Sequence, residues 1–565
     1  MKKIAYLFIC TVLIGSSCTE DFLDVENKSS ITVENWYQTE EDFKMAVNSC
    51  YISLMLRGNF GLRHYLDFST WADRVLFEKT SDDRLQTSPA SSNIDEVWDA
   101  HYVGIYRTSK LLEQLKKKGV EGIENMTQEQ YDYIAAQARA IRAMNYFWLT
   151  VKFDRPILYN EENIPQDLLA PRGNADRIDL WDQIEEDLIL AIPHLKFKSE
   201  MGPDMTGRIT WGGAKALLGK ALLYKHYYYY VREGLEGSQE DEDDLDRARQ
   251  AFHDVMTSGE YRLIQPEAPK TKLDYLYALL SNSSFTDLPS ENNVYKSENN
   301  MESVWEVQFG DYKAFKDKLW QPGHHGPGAL CAQYFSPHKS SFRNWEANPT
   351  MYYAFETEGA PAPFDRDPRC YASLYADGDT MDFNPESPYY KAYASRSNNK
   401  GIADSRGLNL PPHTGGLGVK KYYFPVYWDG LYAPYNDPTN RRLIRYADVL
   451  LMYSEVMLIL GDDGSGLNAL NQVRERVDMP TIDALTREAI IHERDVELAF
   501  EGHRWFDLVR WSFSPEWGIN WDELNWGINS DNSANPFVVN KNEFLPLPQF
   551  EIDYNQGLLV QNPGW

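Results

Sequence analysis

Apolar residues recur at spacings of three and four through much of the first half of the chain, the period of a helix face. Ala138, Ile141, Met144, Trp148 and Val151 make one such face and predict a helix over 127–153, capped by Thr127. The same period predicts helices over 39–57, 97–118, 179–192, 210–231 and 244–258. Their ends carry matching signals. Glu40, Glu41 and Asp42 suit a first turn, and Lys116, Lys117 and Lys118 followed by Gly119 suit a last one. Asp179 caps the helix over 179–192 and Pro193 stops it. From 262 to 440 the period fades into Gly, Pro, Asn, Ser and Tyr, with one strand pattern at Val304–Phe309. Helical spacing returns at 441–461, where Val449, Met452, Val456 and Ile459 share a face, and at 467–477 and 485–511. Consecutive helices joined by short turns pack antiparallel. A series of such pairs predicts a mainly α fold: tetratricopeptide-like helix pairs forming a scaffold, with a large loop-rich aromatic region and few short strands.

One apolar run lies outside this plan. Lys2 and Lys3 precede Ile4–Ile14, and the small residues Gly15, Ser16 and Ser17 lead to Cys18. The run is too short to span a bilayer and has the layout of a signal peptide. Small residues before a Cys form a lipobox, so residues 1–17 are expected to leave and Cys18 to carry lipid, which anchors durably when more than one acyl chain is attached. Residues 18–35 are polar and aperiodic, a flexible tether. Residues 36–565 then form a single body. Its helical scaffold is 36–261 and 441–511, its loop-rich ligand-binding region is 262–440, and 512–565 is its C-terminal segment.

Charge removes several function classes. The formal net charge is −28, and loss of Lys2 and Lys3 with residues 1–17 leaves −30. Nucleic acid and anionic lipid surfaces are bound through Lys and Arg, so neither is an expected partner. Of five cysteines, Cys10 leaves with the signal and Cys18 is the anchor. Cys50, Cys331 and Cys370 are odd in number and widely spaced, with no metal-binding pattern; a Cys331–Cys370 bridge and buried free thiols both remain open. Some of the 16 Trp, 36 Tyr and 25 Phe must lie in the core, and so many in an exported protein also suggest stacking surfaces for ligands such as sugar rings.

Catalytic and metal motifs are weak. His492, Glu493, Glu497, Glu501 and His503 are expected on one helix without HExxH spacing. Glu493, Glu497 and Glu501 share a face, which reads as an ion-pair network to neighbouring elements; paired glycosidase carboxylates need facing elements. His324-His325 lies on a Gly- and Pro-rich loop without a second ligand group at a telling spacing. Gly461 to Gly466 lacks the alternating oxygen ligands of a calcium loop and reads as an inter-helix turn. The acidic run Gln239 to Asp246 reads as a solvated loop. No enzyme, cofactor or metal is expected.

Ordered motifs add a resemblance. Cys18 with Asp21-Phe22-Leu23-Asp24, the helix from Trp98 to Leu112, Ala138-Arg139-Ala140-Ile141-Arg142-Ala143 with Tyr146-Phe147, and Gly207-Arg208-Ile209-Thr210 with Ala214 to Leu218 occur in sequence. They are followed by Arg445-Tyr446-Ala447-Asp448, Asn471 to Arg474, Glu493 through Leu508, and Gln561-Asn562-Pro563-Gly564. This succession resembles the SusD/RagB family of outer-membrane nutrient-binding lipoproteins over nearly the full length. Ser109 stands where the family commonly has Asn, and Phe153-Asp154-Arg155-Pro156 lacks the usual Gly of that turn. The resemblance implies a non-catalytic receptor, lipid-anchored at the outer membrane and facing the exterior. It implies glycan as the usual cargo and a SusC-like TonB-dependent outer-membrane transporter as partner. A receptor for peptide or another nutrient on the same scaffold is the alternative, and a surface hydrolase a more distant one.

None of the matching motifs carries ligand contacts, so those are sought in the loops. A glycan site needs aromatic faces flanked by hydrogen-bonding side chains. Three regions qualify: Trp71, Asp73, Arg74 and Arg84 with Asn93; Tyr312, Phe315, Trp320, Gln321 and His324; and Trp428 with Asp429 and Tyr432.

Overall fold

The computed structural model describes residues 36–77, 87–164, 170–266, 298–309, 345–375, 417–421, 439–524 and 537–565. Helix α1 (Glu40–Met55) starts at a capping box in which Thr39 and Asp42 each accept the other's backbone N–H. α2 (Arg63–Trp71) leads into β1 (Val75–Phe77). α3 (Ser92–Lys118) and α4 (Gln128–Phe153) are capped by Ser91 and by a Thr127–Gln130 box. α5 (Arg177–Ala191), α6 (Trp211–Lys225) and α7 (Gln239–Thr257) follow. The middle of the chain supplies β2 (Ser303–Val307), β3 (Trp345–Ala347), α8 (Pro349–Ala354), α9 (Pro368–Ser373), β4 (Leu374–Tyr375) and β5 (Gly418–Val419). Next come β6 (Arg441–Arg445), α10 (Tyr446–Leu460), α11 (Asp463–Glu475), α12 (Arg487–Glu497), α13 (Arg504–Ser512) and α14 (Gln549–Tyr554).

Each long helix packs on its successor, from α3 through α4, α5 and α6 to α7. α7 then packs on α10, and α10 on α11 and α12, so the two helical halves of the chain form one series. α1 closes the other end against α3 and α4. The mainly helical, tetratricopeptide-like scaffold is therefore present. Its centre is α4, in which every residue from Ile134 to Phe153 except Arg139 is buried. A helix buried on all sides has no solvated face, and α4 buries even Gln137, Arg142, Asn145 and Lys152, so the apolar stripe read from sequence understates its burial. Burying each Leu or Phe of α4, α6 and α10 contributes about 1.5–3 kcal/mol relative to leaving it in water.

The structure corrects five local expectations. The helix over 179–192 begins at Arg177 with Asp176 at the cap position, so Asp179 lies in the first turn. The acidic run is the start of α7: Ser238 caps it, and Glu240, Asp241 and Glu242 sit on the positive end of its dipole. Asp241 and Asp244 face inward to His226 (2.8 Å) and the Tyr230 hydroxyl (2.9 Å). Residues 441–445 are strand, with Arg441 opposite Val307 and Arg445 opposite Ser303 across a bulged antiparallel ladder. α10 ends at Gly461 (φ +77°) and Asp462 caps α11, so the turn is shorter than Gly461 to Gly466. The helix over 485–511 is two helices. Phe500 (φ +62°) and Gly502 (φ +80°) turn the chain between them, so Glu501 and His503 do not share α12 with Glu493.

Candidate functional site

Four short strands gather where residues 78–86, 310–344, 376–416 and 422–438 join the described body. β1 and β3 are antiparallel, with Val75 opposite Ala347 and Phe77 opposite Trp345. Ala347 N–H extends the contact to Leu417 O at 2.9 Å. β4 pairs with β5, Tyr375 opposite Gly418, and Lys420 N–H reaches Ser373 O at 2.8 Å. Residues 78–86, 310–344, 376–416 and 422–438 each begin or end at this cluster.

The cluster stands on buried charge. Glu493 and Glu497 project from α12, and Glu501 follows in the turn. Arg369 of α9 reaches Glu497 at 3.2 Å, contacts Glu493, and is held by Asp367 at 2.7 Å. Lys421, just beyond β5, donates to Glu501 at 2.6 Å and to the Glu497 carbonyl at 3.1 Å. Arg445 of β6 donates to Glu497 (2.6 Å), Glu501 (2.7 Å) and Glu302 (2.9 Å). Arg476 closes the ring between Glu302 and Glu497. Glu302, Glu493, Glu497, Glu501, Arg369, Arg445 and Arg476 are each at most 5% exposed. Buried charges persist only when paired and hydrogen-bonded. Burial alone would raise the Glu497 carboxyl, but Arg476, Arg445 and Arg369 hold it well below the usual carboxylate range. Burial is likewise outweighed at Glu501, where Arg445 and Lys421 pull the carboxyl down to about 2. The three glutamates thus form the expected ion-pair network, and each is buried and spent on cations. They tie α9, β5 and β6 to α12.

The structure places Trp71, Asp73 and Arg74 among the supports of this cluster. Trp71 is 5% exposed and packs edge-on against Trp505 (5.3 Å) and Phe68 (5.6 Å). The Asp73 carboxylate accepts from Arg504 at 3.0 and 3.2 Å; burial opposes its charge, and Arg504 with Arg74 keeps it below its ordinary pKa. Arg74 donates to Asp495 of α12 at 2.9 Å, and its carbonyl accepts the Asn348 N–H at 2.8 Å. The connector from α2 to β1 is drawn inward by these pairs, so its polar residues turn away from solvent. Sequence offers a weak sign of this, since Asp73-Arg74 beside a Trp serves an ion pair as readily as a ligand. Asn93 is half-buried in the first turn of α3 and accepts from Arg63. Arg84, Tyr312, Phe315, Trp320, Gln321, His324, Trp428 and Tyr432 lie outside the described residues, as do Cys18 and Cys331. Their segments are rooted at the strand cluster by chain connectivity. Cys50 and Cys370 are buried, and burial pushes the Cys50 thiol up to about 12. The cations Arg369, Lys421 and Arg476 were not singled out from sequence, because their partners are distant in the chain.

A serial helical scaffold carries, on one charge-clamped strand cluster, the ends of several long connecting segments. The family model described as "SusD family" matches residues 292–565. A second, described as "Starch-binding associating with outer membrane", matches residues 21–223. The chain belongs to the SusD family. A SusD-like protein of Bacteroides ovatus is 23% identical over 554 residues, spanning 94% of this chain and 87% of its own. The solved structure of a SusD homolog from Bacteroides thetaiotaomicron superposes with a TM-score of 0.70 at 21% identity, covering 96% of this chain and 100% of that one. Surface glycan-binding protein A from Bacteroides thetaiotaomicron, solved in complex with laminarihexaose, gives 0.66 at 19% identity, covering 93% and 100%.

Proposed function

We propose that this chain is a non-catalytic glycan receptor on the cell surface. It is tethered to the outer membrane through lipid on Cys18, and it passes oligo- or polysaccharide to a SusC-like TonB-dependent transporter. The observation that carries the reading is the likeness in fold, across 93% of the chain, to a surface glycan-binding protein solved with laminarihexaose. The strand cluster supports it by rooting the aromatic-rich segments together. Tyr312, Phe315, Trp320, Gln321 and His324 are the leading candidate contacts, and Arg84, Trp428 and Tyr432 are further candidates. Each ring stacked on a sugar contributes about 1 kcal/mol, so affinity comes from several weak contacts along a repeating ligand. Affinity electrophoresis of the purified chain through gels carrying different polysaccharides tests the reading. Retardation by at least one glycan, reduced by Trp320→Ala, is expected. Unretarded migration in plant, microbial and host glycans alike overturns it. Release of sugar products from a retarding glycan overturns the non-catalytic part.

A further inference from the structure

A second cleft lies apart from the strand cluster and shares no residue with it. Its volume is about 320 Å³, and its walls come from α1, the turn at 204–208 and the end of β2. That size falls at the lower end of small-molecule sites, with room for about one or two sugar rings. The walls are fixed. Arg208 donates to Gln137 at 2.9 Å and to Asn48 at 2.7 Å, and its guanidinium lies 5.7 Å over the Tyr51 ring. The Tyr51 hydroxyl donates to Gln137 at 3.1 Å and accepts the Ile209 N–H at 3.0 Å. Opposite, Gln308 exchanges amide bonds with Asn299 at 2.9 and 3.0 Å and accepts from Asn440 at 2.9 Å. Gly207 (φ +82°) lets the two walls meet, since a Cβ there would stand 2.0 Å from Gln308 Cγ.

The lining is chemically mixed in the way a sugar requires. Asn48 and Asp204 are exposed at the rim, one with an amide to donate and the other with a carboxylate to accept. Ile52, 50% exposed, and Met55 supply an apolar side for the C–H face of a ring. We propose that this cleft is a secondary subsite for a mono- or disaccharide unit of the same glycan that the strand-cluster segments bind, a proposal that rests on the glycan reading above. Two sites on one chain raise the avidity for a repeating polymer far above that for a short oligosaccharide, by about 10²–10⁴ where geometry lets both engage.

The test uses a glycan that retards the wild-type chain, together with a short oligosaccharide cut from it. Asn48→Ala with Asp204→Ala removes the rim groups. Ile52→Arg, at an exposed position on α1, fills the cleft without touching the Arg208 bonds. An unchanged unfolding midpoint establishes that each variant is folded. Calorimetry is expected to give two oligosaccharides per wild-type chain and one per variant, with polysaccharide affinity at least about tenfold weaker in both variants. One oligosaccharide per chain and equal polysaccharide affinity in all three proteins overturns the cleft and leaves the glycan reading standing. Failure of the wild-type chain to bind any glycan overturns both.

Discussion

Glu497→Gln is the most informative single change. Glu497 lies on α12 and is 2% exposed. Its carboxylate accepts from Arg445 at 2.6 Å, from Arg369 at 3.2 Å and from Arg476. Charge-assisted bonds are each worth about 1.5–3 kcal/mol, so a naive total for three exceeds what the variant can lose. Gln keeps one acceptor, and Glu302, Glu493 and Glu501 share the same cations. The relevant reference is removal of one partner from a buried pair, about 3–5 kcal/mol, and that loss is expected here. It is a large part of the ~5–15 kcal/mol that holds a typical domain folded. Urea unfolding of the chain lacking residues 1–18, followed by Trp fluorescence, measures it. A second change decides the cause. Glu497→Met with Arg476→Met substitutes apolar groups for one pair, and the double variant should recover at least ~1 kcal/mol relative to the sum of the singles. A loss below ~1 kcal/mol for Glu497→Gln, or strict additivity in the double variant, refutes the account of α12 as an electrostatic clamp.

Acid should destabilise the body in two steps. His503 is pushed down to about 4 from 6.5, chiefly by burial and further by Lys220 and Arg494. The unfolded chain therefore binds its proton first, and the stability tied to neutral His503 is complete above about pH 6.5 and lost as pH falls to about 4. Glu501, depressed to about 2 from 4.5, adds stability that is complete above about pH 4.5 and lost toward pH 2, up to about 3 kcal/mol. His503→Gln should flatten the first step in urea titrations at stepped pH; a step of unchanged size assigns it elsewhere. Lys152 is fully buried, donates to His101 at 3.0 Å, and is lowered by burial to about 7 from 10.5. Stability should rise between pH 7 and 10.5, and Lys152→Met should reduce that rise; an identical slope in the variant counts against it. Gly207→Ala meets both a positive φ and the Gln308 side chain, and should lower stability by about 2 kcal/mol or more, read from the urea midpoint. A loss below ~0.5 kcal/mol shows that the two cleft walls are free to part.

The scaffold was legible because helix period, caps and stop signals are local. Thr127 caps α4 and Gly119 ends α3 as the pattern of neighbours implies. The misreadings arose where long-range contacts overrule local pattern. Arg441–Arg445 continues smoothly into α10 in sequence and is pulled into strand only by β2, more than 130 positions earlier. The helix over 485–511 breaks because Glu501 must turn inward to meet Arg445 and Lys421, which no spacing within that stretch reveals. Trp71 was legible as aromatic but not as buried, since Trp505 comes from the far end of the chain. The cleft on α1 escaped notice for the same reason: Asn48, Asp204 and Gln308 are remote in sequence, and only Gly207-Arg208 had drawn attention as a motif.

The pairing of Tyr375 with Gly418 bears on how freely the chain between them can vary. Both feet of residues 376–417 are fixed side by side, and Lys420, Lys421 and Arg369 pin those feet to the scaffold. Closing a chain between fixed ends costs only about 0.6 kcal/mol more for each doubling of length. The clamp beneath holds several times that in Glu497 alone, so changes in the length of the intervening chain are expected to leave the body folded. The stability of the body is thereby separated from the length of the chain between those feet.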